Sequence, residues 1–190
     1  MWAELGFAVD GGSSWVSGAE HRLGAEGRRI CGWRLTGAST SAIDGLPVSE
    51  AASRPPVEQT HPNGVIELDH LVVFTPDHQR TLAALQAAGL ELRRIRDADT
   101  YEVPMRQGFF KLGPIILEVI GPLEPSGDGP ARFYGLAFTV ADLDATAAYL
   151  GDRLRPSKEA VQPGRRIATL DKNAGSSVAI AFMSGGAPSA

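Results

Sequence analysis

The chain has 190 residues, a formal net charge of −4 and 18 basic residues that are scattered, so it carries no basic stripe of the kind that binds nucleic acid. Apolar residues make up 43% and charged residues 21%, which is ordinary for a globular domain and argues against extensive disorder. No apolar stretch is long enough to span a bilayer, and the first residues lack the pattern of a secretory signal. A single cysteine, Cys31, excludes an intrachain disulfide and a multi-cysteine metal cluster. We therefore expect a cytoplasmic protein with no nucleic-acid or membrane partner.

Residues 1–48 are predicted to form a small strand-rich N-terminal segment. We interpret this segment either as a degenerate partial copy of the module that follows, or as an extension that covers a sheet edge. Residues 49–64, SEAASRPPVEQTHPNG, are rich in Pro, Ser, Glu and Ala without hydrophobic periodicity and are predicted to be a linker. The main domain is therefore predicted to span residues 65–186.

Module 1, residues 65–125, reads as a strand, a helix and three strands. VIELDHLVVFT at its start is apolar and β-rich, as expected of a buried strand. PDHQRTLAALQAAG has leucines at helical spacing, a proline suited to the first turn and a glycine stop. Strand-like runs follow at 90–95, 105–112 and 114–120.

Module 2, residues 131–186, repeats this order. ARFYGLAFTV is predicted to be a strand and ADLDATAAYLGDRL a helix. Further strands are predicted to end at Leu170 and to run through AGSSVAIAFMS. The internal repeat predicts an α+β fold in which two paired βαβββ modules form a curled mixed sheet with a concave cleft.

The strands that open and close each module carry the candidate site. HLVVFTPD aligns with GLAFTVAD, and PIILEVI with SVAIAFM, so His70 corresponds to Gly135 and Glu118 to Ala181. Residues that alternate onto the concave face of these strands converge in the cleft. A carboxylate within the apolar run IILEVI is costly to bury alone. Glu118 therefore either faces a solvent-filled cleft or is paired with a metal or a cation, for which Arg106 is one alternative.

LDHLVVFTPD, ILEVIGP and GLAFTVADLDATAAYLG resemble the vicinal oxygen chelate superfamily of glyoxalases, bleomycin-resistance proteins and extradiol dioxygenases. The resemblance covers the main domain, residues 65–185. It implies a divalent metal ion (Zn, Ni, Fe or Mn) that is bound by His70 and Glu118. Such a metal would chelate vicinal oxygens of a substrate and would stabilise an enolate or activate dioxygen.

The second module departs from the ligand pattern of the superfamily. Metal-dependent members take further ligands from that module, where this chain has Gly135 and Ala181. Because open catalytic sites typically retain about three protein ligands, a third would have to come from His61, His78 or another subunit. His70 is otherwise a histidine that hydrogen-bonds inside the cleft without metal, or an incidental edge residue.

Third-strand runs of the two modules, MRQGFFKL and PGRRIATL, contain four candidate substrate contacts. These are Arg106, Gln107, Arg165 and Arg166. A guanidinium group in a cleft suits a carboxylate or phosphate. The alternative is that these alternating residues face solvent.

Two functions fit these residues. The first is an enzyme that acts on a small oxygenated organic molecule, a metal-assisted lyase, isomerase or dioxygenase with Glu118 and His70 as catalytic residues. The second is a metal-free ligand-binding or drug-sequestering protein on the same scaffold. A homodimer in which the N-terminal segment completes the partner's cleft is a further alternative.

Overall fold

The computed structural model describes residues 1–52, 54–98 and 103–186. The chain divides into two compact units, and each contains most of one sequence module. The module-1 unit comprises Arg29–Arg54 and His70–Gly135. The module-2 unit comprises Met1–Arg28, Pro55–Asp69 and Leu136–Ala190.

Five short strands precede the modules. In the module-2 unit, β1 (Ser13–Val16) and β2 (Ala19–Arg22) pair as an antiparallel hairpin. In the module-1 unit, β3 (Trp33–Leu35), β4 (Ala42–Ile43) and β5 (Leu46–Glu50) form a three-stranded sheet in the order β3-β5-β4. The N-terminal segment is thus divided between the two units.

Module 1 consists of β6 (Val65–Phe74), α1 (His78–Ala87), β7 (Glu91–Ala98), β8 (Met105–Leu112) and β9 (Ile115–Pro122). Its strands pair in the order β6-β9-β8-β7, and β6 runs parallel to β9 while the other pairs are antiparallel. This half of the sheet is therefore mixed. Asp77, the residue before α1, caps the helix. Its side chain accepts a hydrogen bond from the backbone N–H of Arg80, the third residue of α1.

Module 2 consists of β10 (Arg132–Val140), α2 (Leu143–Leu150), β11 (Lys158–Glu159), β12 (Arg166–Thr169) and β13 (Ala179–Ser184). Its strands follow the equivalent order, β10-β13-β12-β11. The predicted α+β fold of two βαβββ modules is confirmed.

Several predicted element boundaries need correction, and β13, for example, begins later than predicted, at Ala179. The helix that was expected to run to residue 154 ends at Leu150, because Gly151 adopts φ +56 and a 3-10 turn follows. The strand that was expected over 90–95 extends through Ala98 as β7. The extension of β7 matters for function, since it carries Arg96.

One face of the module-1 sheet is closed by α1. Leu82 and Leu85 of the helix pack with Val73, Phe110 and Leu117 of the sheet in one buried cluster. The helix lies so close to β8 that a Cβ atom added at Gly108 would be 2.6 Å from Leu82 Cδ2. Because side chains alternate along strands, the intervening residues of β8 and β9 project from the opposite face.

Aromatic rings form the core of the module-2 unit. Phe7 lies 5.0 Å from Phe138 and 6.3 Å from Phe182, measured between ring centroids, and Trp2 lies 4.5 Å from Phe7. The predicted linker contributes the buried His61 to this unit. Across the part of the chain that is described, no helix combines the length and hydropathy that crossing a membrane requires.

Candidate functional site

His70 and Glu118 lie on the same face of two neighbouring parallel strands. In the β6–β9 pairing, His70 is opposite Ile116 and Val72 is opposite Glu118. The two polar residues are therefore offset by one side-chain repeat on one face. His70 Nε2 is 3.5 Å from Glu118 Oε2.

A carboxamide holds the second oxygen of the Glu118 carboxylate. Gln107, on β8, is 3% exposed and donates a hydrogen bond from Nε2 to Glu118 Oε1. The Gln107 Oε1 atom in turn accepts a hydrogen bond of 2.6 Å from Arg96 Nε. Arg96 thereby sets the orientation in which the amide presents its N–H to the carboxylate.

Phe109 completes this arrangement. It is directly opposite Glu118 in the β8–β9 pairing, and the Arg96 guanidinium carbon lies 5.2 Å from its ring centroid. We call the surface formed by the side chains of His70, Arg96, Gln107, Phe109 and Glu118 the site face.

The environment of Glu118 suits a chemical role. Glu118 is 8% exposed, and Leu117 and Val119 on either side of it are completely buried on the helix face. A carboxylate at this depth needs hydrogen-bond partners, and the Gln107 amide supplies one. The contact between His70 Nε2 and Glu118 Oε2, at 3.5 Å, is longer than a common N–H···O hydrogen bond.

Arg106 lies next to Gln107 in sequence but is bound elsewhere. Its Nε and Nη2 atoms donate to the two carboxylate oxygens of Asp97 over 2.6 and 3.0 Å. The Arg106 hydrogen bond lowers the pKa of the Asp97 carboxyl below its usual value. The partner of Arg106 is thus Asp97 and not Glu118, and alternation along β8 directs Arg106 away from the site face.

Arg165 and Arg166 belong to the module-2 unit, and both contact carboxylates there. Arg165 Nη2 is 2.8 Å from Asp69 Oδ2, and Arg165 Nε donates to Ser184 O over 2.8 Å. Arg166 Nη2 is 2.7 Å from Asp144 Oδ2, and this hydrogen bond lowers the pKa of the Asp144 carboxyl. The role of Arg106, Arg165 and Arg166 as substrate contacts stays a prediction.

Strand register shows that the second module has no copy of this polar network. Ala181, the counterpart of Glu118, is opposite Thr169, as Glu118 is opposite Phe109. Two residues earlier on β12, Ile167 therefore occupies the place of Gln107. Aligned end to end, the equivalent third-strand runs MRQGFFKL and PGRRIATL match Gln107 with Arg165, and the strand pairing shifts this match by two residues.

The histidines considered as a third metal ligand have other environments. His61 Nδ1 accepts a hydrogen bond from the Ala8 N–H over 3.0 Å, and its Nε2 lies 3.0 Å from Trp15 O, so both ring nitrogens are engaged. His78 lies on the helix face of the sheet, where a Cβ atom at Gly108 would be 3.3 Å from its Nε2. Burial lowers the pKa of both histidines.

The donor set of the site face falls short of a typical metal centre. Within the described ranges, no group of three or more His, Cys, Asp and Glu side chains is arranged to hold a metal ion. His70 and Glu118 supply two donors, and the Gln107 carbonyl oxygen is occupied by Arg96. Because catalytic sites usually retain about three protein ligands, these residues do not fit a resident metal by themselves.

Arg96 was missed by the reasoning from sequence. LELRRI was read as a strand ending at residue 95, which left Arg96 outside it. The register of β7 shifts between Leu92 and Arg94, and the strand then pairs Arg96 with Gln107. The signal in the sequence was that polar residues continue beyond residue 95, as they would on an exposed strand. A shift of register, however, cannot be predicted from the alternation of polar and apolar residues.

Comparison with known proteins shows likeness in structure only. No family model matches the chain, and no curated protein matches it by sequence. Methylmalonyl-CoA epimerase from Mycobacterium tuberculosis is 21% identical with a TM-score of 0.53, over 66% of this chain and 91% of that one. A hypothetical protein from Bacillus halodurans is 15% identical with a TM-score of 0.53, over 65% and 97%.

A third neighbour was solved with a ligand. Streptomyces coelicolor methylmalonyl-CoA epimerase, in complex with 2-nitronate-propionyl-CoA, is 20% identical with a TM-score of 0.53, over 65% of this chain and 99% of that one. Identities this low establish the fold and leave the activity open. The chain has the fold of the vicinal oxygen chelate, or glyoxalase-like, superfamily.

Proposed function

We propose that the chain binds a small carbonyl compound on the site face and transfers a proton at the carbon next to the carbonyl group, as an isomerase or epimerase does. The observation that carries this proposal is the placement of Glu118. Its carboxylate is largely buried, one oxygen is held by Gln107, and the other is 3.5 Å from His70 Nε2. A carboxylate fixed in this way is suited to act as a general base.

The proposed step conserves atoms and charge. Glu118 accepts the proton of the C–H bond, and the electron pair of that bond moves into the carbonyl group to give an enolate. Glu118 returns its proton, or one exchanged with solvent, to the same carbon and restores the carbonyl. A proton delivered from solvent to the opposite face gives the other epimer, and Glu118 then releases its own proton to solvent. His70 lies beside the oxygen of Glu118 that takes the proton, where an N–H group at Nε2 stabilises the carboxylate form.

The structural neighbours support this choice of reaction and suggest a first substrate class. They include methylmalonyl-CoA epimerases, and one of them was solved in complex with methylmalonyl-CoA and NH4+. An acyl-CoA ester with a hydrogen next to its carbonyl group is therefore the first probe to use with this chain. His70 and Glu118 are two metal donors, fewer than the three or so that catalytic metal sites usually retain. The proposed reaction therefore uses the Glu118 carboxylate itself as the base.

Incorporation of solvent deuterium at C2 of methylmalonyl-CoA tests the proposal, followed by NMR or mass spectrometry in D2O. We expect exchange with the wild-type protein and a loss of about 10²- to 10⁴-fold in Glu118→Gln, the usual contribution of a general base. Glu91→Gln is the matched control, since Glu91 is exposed and bound to Arg93. Absence of exchange in the wild type, or full exchange in Glu118→Gln, would overturn the proposal.

A second candidate is ligand binding without turnover. It is favoured by the apolar counterparts of the site residues in module 2, which are Gly135, Ile167 and Ala181. Calorimetry distinguishes the two candidates. Binding of the ester by the wild type without deuterium exchange would support the binding protein and exclude the isomerase for that ligand class.

A further inference from the structure

Among the residues that the structure describes, no carboxylate contacts Arg96, whereas Arg106, Arg165 and Arg166 each contact one. Within residues 1–52, 54–98 and 103–186, the contacts of its side chain are the hydrogen bond to Gln107 Oε1 and the ring of Phe109. Arg93 on the same strand is bound to Glu91, and Arg106 opposite the same strand is bound to Asp97. Arg96 is nevertheless partly buried, so its positive charge is neither well solvated nor neutralised by a described acidic group.

The guanidinium group retains donors for a ligand. It has five N–H donors in a planar fork, and the hydrogen bond to Gln107 uses the one on Nε. The Arg96 guanidinium carbon lies over the Phe109 ring, 5.2 Å from its centroid, which is within the range of cation–π attraction and restrains the position of the group. A planar fork that is already oriented binds a carboxylate in two parallel hydrogen bonds at low entropic cost.

The side-chain amide of Gln107 lies between the Arg96 guanidinium group and Glu118, the proposed base. Gln107 accepts from Arg96 through Oε1 and donates to Glu118 through Nε2, and both groups lie on the site face. A molecule whose reacting carbon is at Glu118 therefore lies one carboxamide away from Arg96. Without Arg96, an anionic group so close to the Glu118 carboxylate would be repelled.

We infer that Arg96 binds a carboxylate group of the substrate, so that the site selects carbonyl compounds bearing a carboxylate close to the reacting carbon. This inference rests on the proposed function for the identity of the reacting carbon. Binding of the carboxylate does not depend on turnover, and the two claims can be tested separately.

Methylmalonyl-CoA and propionyl-CoA form the test pair, since they differ by the carboxylate on C2. Their dissociation constants are measured by isothermal titration calorimetry. We expect the wild type to bind methylmalonyl-CoA about 10- to 100-fold more tightly, the factor that corresponds to a hydrogen-bonded charge pair. In Arg96→Gln this preference should fall to within about 3-fold, because the affinity for methylmalonyl-CoA falls more than that for propionyl-CoA, and Arg96→Lys should retain part of the preference because the charge remains.

Arg93→Gln is the matched control, because it removes an exposed arginine from the same strand. It should keep the wild-type preference. The inference is overturned if the wild type does not discriminate between the esters, if neither ester binds, or if Arg96→Gln weakens both equally. Discrimination without deuterium exchange would instead reject the proposed reaction and retain the role of Arg96. Deuterium exchange without discrimination between the two esters would reject the role of Arg96 and retain the proposed reaction.

Discussion

At the scale of single residues, the site depends on a short chain of hydrogen bonds that ends at Glu118. Arg96 orients Gln107, and Gln107 holds one carboxylate oxygen while His70 lies near the other. Leaving a buried carboxylate without its donor costs about 1–3 kcal/mol or more, so the Gln107 amide stabilises the fold as well as the charge. The contribution of Gln107 to stability can be separated from its contribution at the site, because the free energy of unfolding is measured without a substrate.

His21 is a second polar residue held in apolar surroundings, and it predicts how stability depends on pH. Its ring lies 5.3 Å from the Trp2 ring and 5.7 Å from the Phe138 ring, between centroids. Burial, and secondarily the neighbouring His61, lower the pKa of His21 to about 4. The unfolded chain, in which the pKa is near 6.5, therefore binds more protons between these values.

We expect the free energy of unfolding to decrease as the pH falls from about 6.5 to about 4, by at most about 3 kcal/mol from this group. Above pH 6.5 the contribution is constant. His21→Phe should flatten the dependence, as measured by urea denaturation at a series of pH values, while His61 leaves a residual slope because burial lowers its pKa too. An unchanged slope in His21→Phe would show that the ring is protonated in the folded chain.

At the scale of elements, strands and helices were predictable where hydrophobic periodicity decides them. The order strand, helix and three strands in each module follows from runs such as LVVF and IILEVI. Two features could not be predicted from such hydrophobic runs. The extension of β7 to Ala98 and the pairing of Ile167 with Met183 depend on strand register, which is set by contacts between distant residues. Arg96 was missed for this reason.

The turn between β4 and β5 is fastened to the start of α1 by Asp44. Its carboxylate accepts from Arg80 Nε over 2.8 Å and from the Thr81 hydroxyl, and its side chain is 10% exposed. Asp44 also has a positive φ of 46°, a conformation that Asp and Asn tolerate better than Ala. The hydrogen bonds of the side chain and the positive φ of the backbone thus both favour aspartate at position 44.

Asp44→Ala should lower the free energy of unfolding by about 2–4 kcal/mol, because the partly buried Arg80 loses its partner and the backbone is strained. Asp44→Asn should lose less, since it keeps an acceptor oxygen and the positive φ. Chemical denaturation followed by circular dichroism measures both. Equal losses in the two variants would contradict the account of this turn.

At the scale of the whole molecule, the two modules share a fold but not the polar side chains of the site face. Module 1 carries the histidine, glutamine and glutamate of the site face, and module 2 has Gly135, Ile167 and Ala181 at the corresponding places. The repeat and the fold could be derived from sequence because local text and spacing agree. The hydrogen-bond network could not be derived in this way, because each of its contacts joins two different strands.

The N-terminal segment contributes to both units. Met1–Arg28 belongs to the module-2 unit and Arg29–Arg54 to the module-1 unit. The segment contacts the main domain through the aromatic core around Phe7, through Asp44 and through Ile43, Leu46 and Val48, which pack in the module-1 core. Its origin as a partial module and a role in a homodimer both stay predictions.

The most direct test of the central claim, that Glu118 itself is the base and needs no metal, is deuterium exchange after exhaustive treatment with a chelator. The wild type is dialysed against EDTA, its residual metal is quantified, and exchange at C2 of methylmalonyl-CoA is measured beside Glu118→Gln. The account predicts that the metal-depleted wild type keeps its rate and that Glu118→Gln remains inactive. A loss of exchange that one equivalent of Zn, Ni, Fe or Mn restores would contradict it.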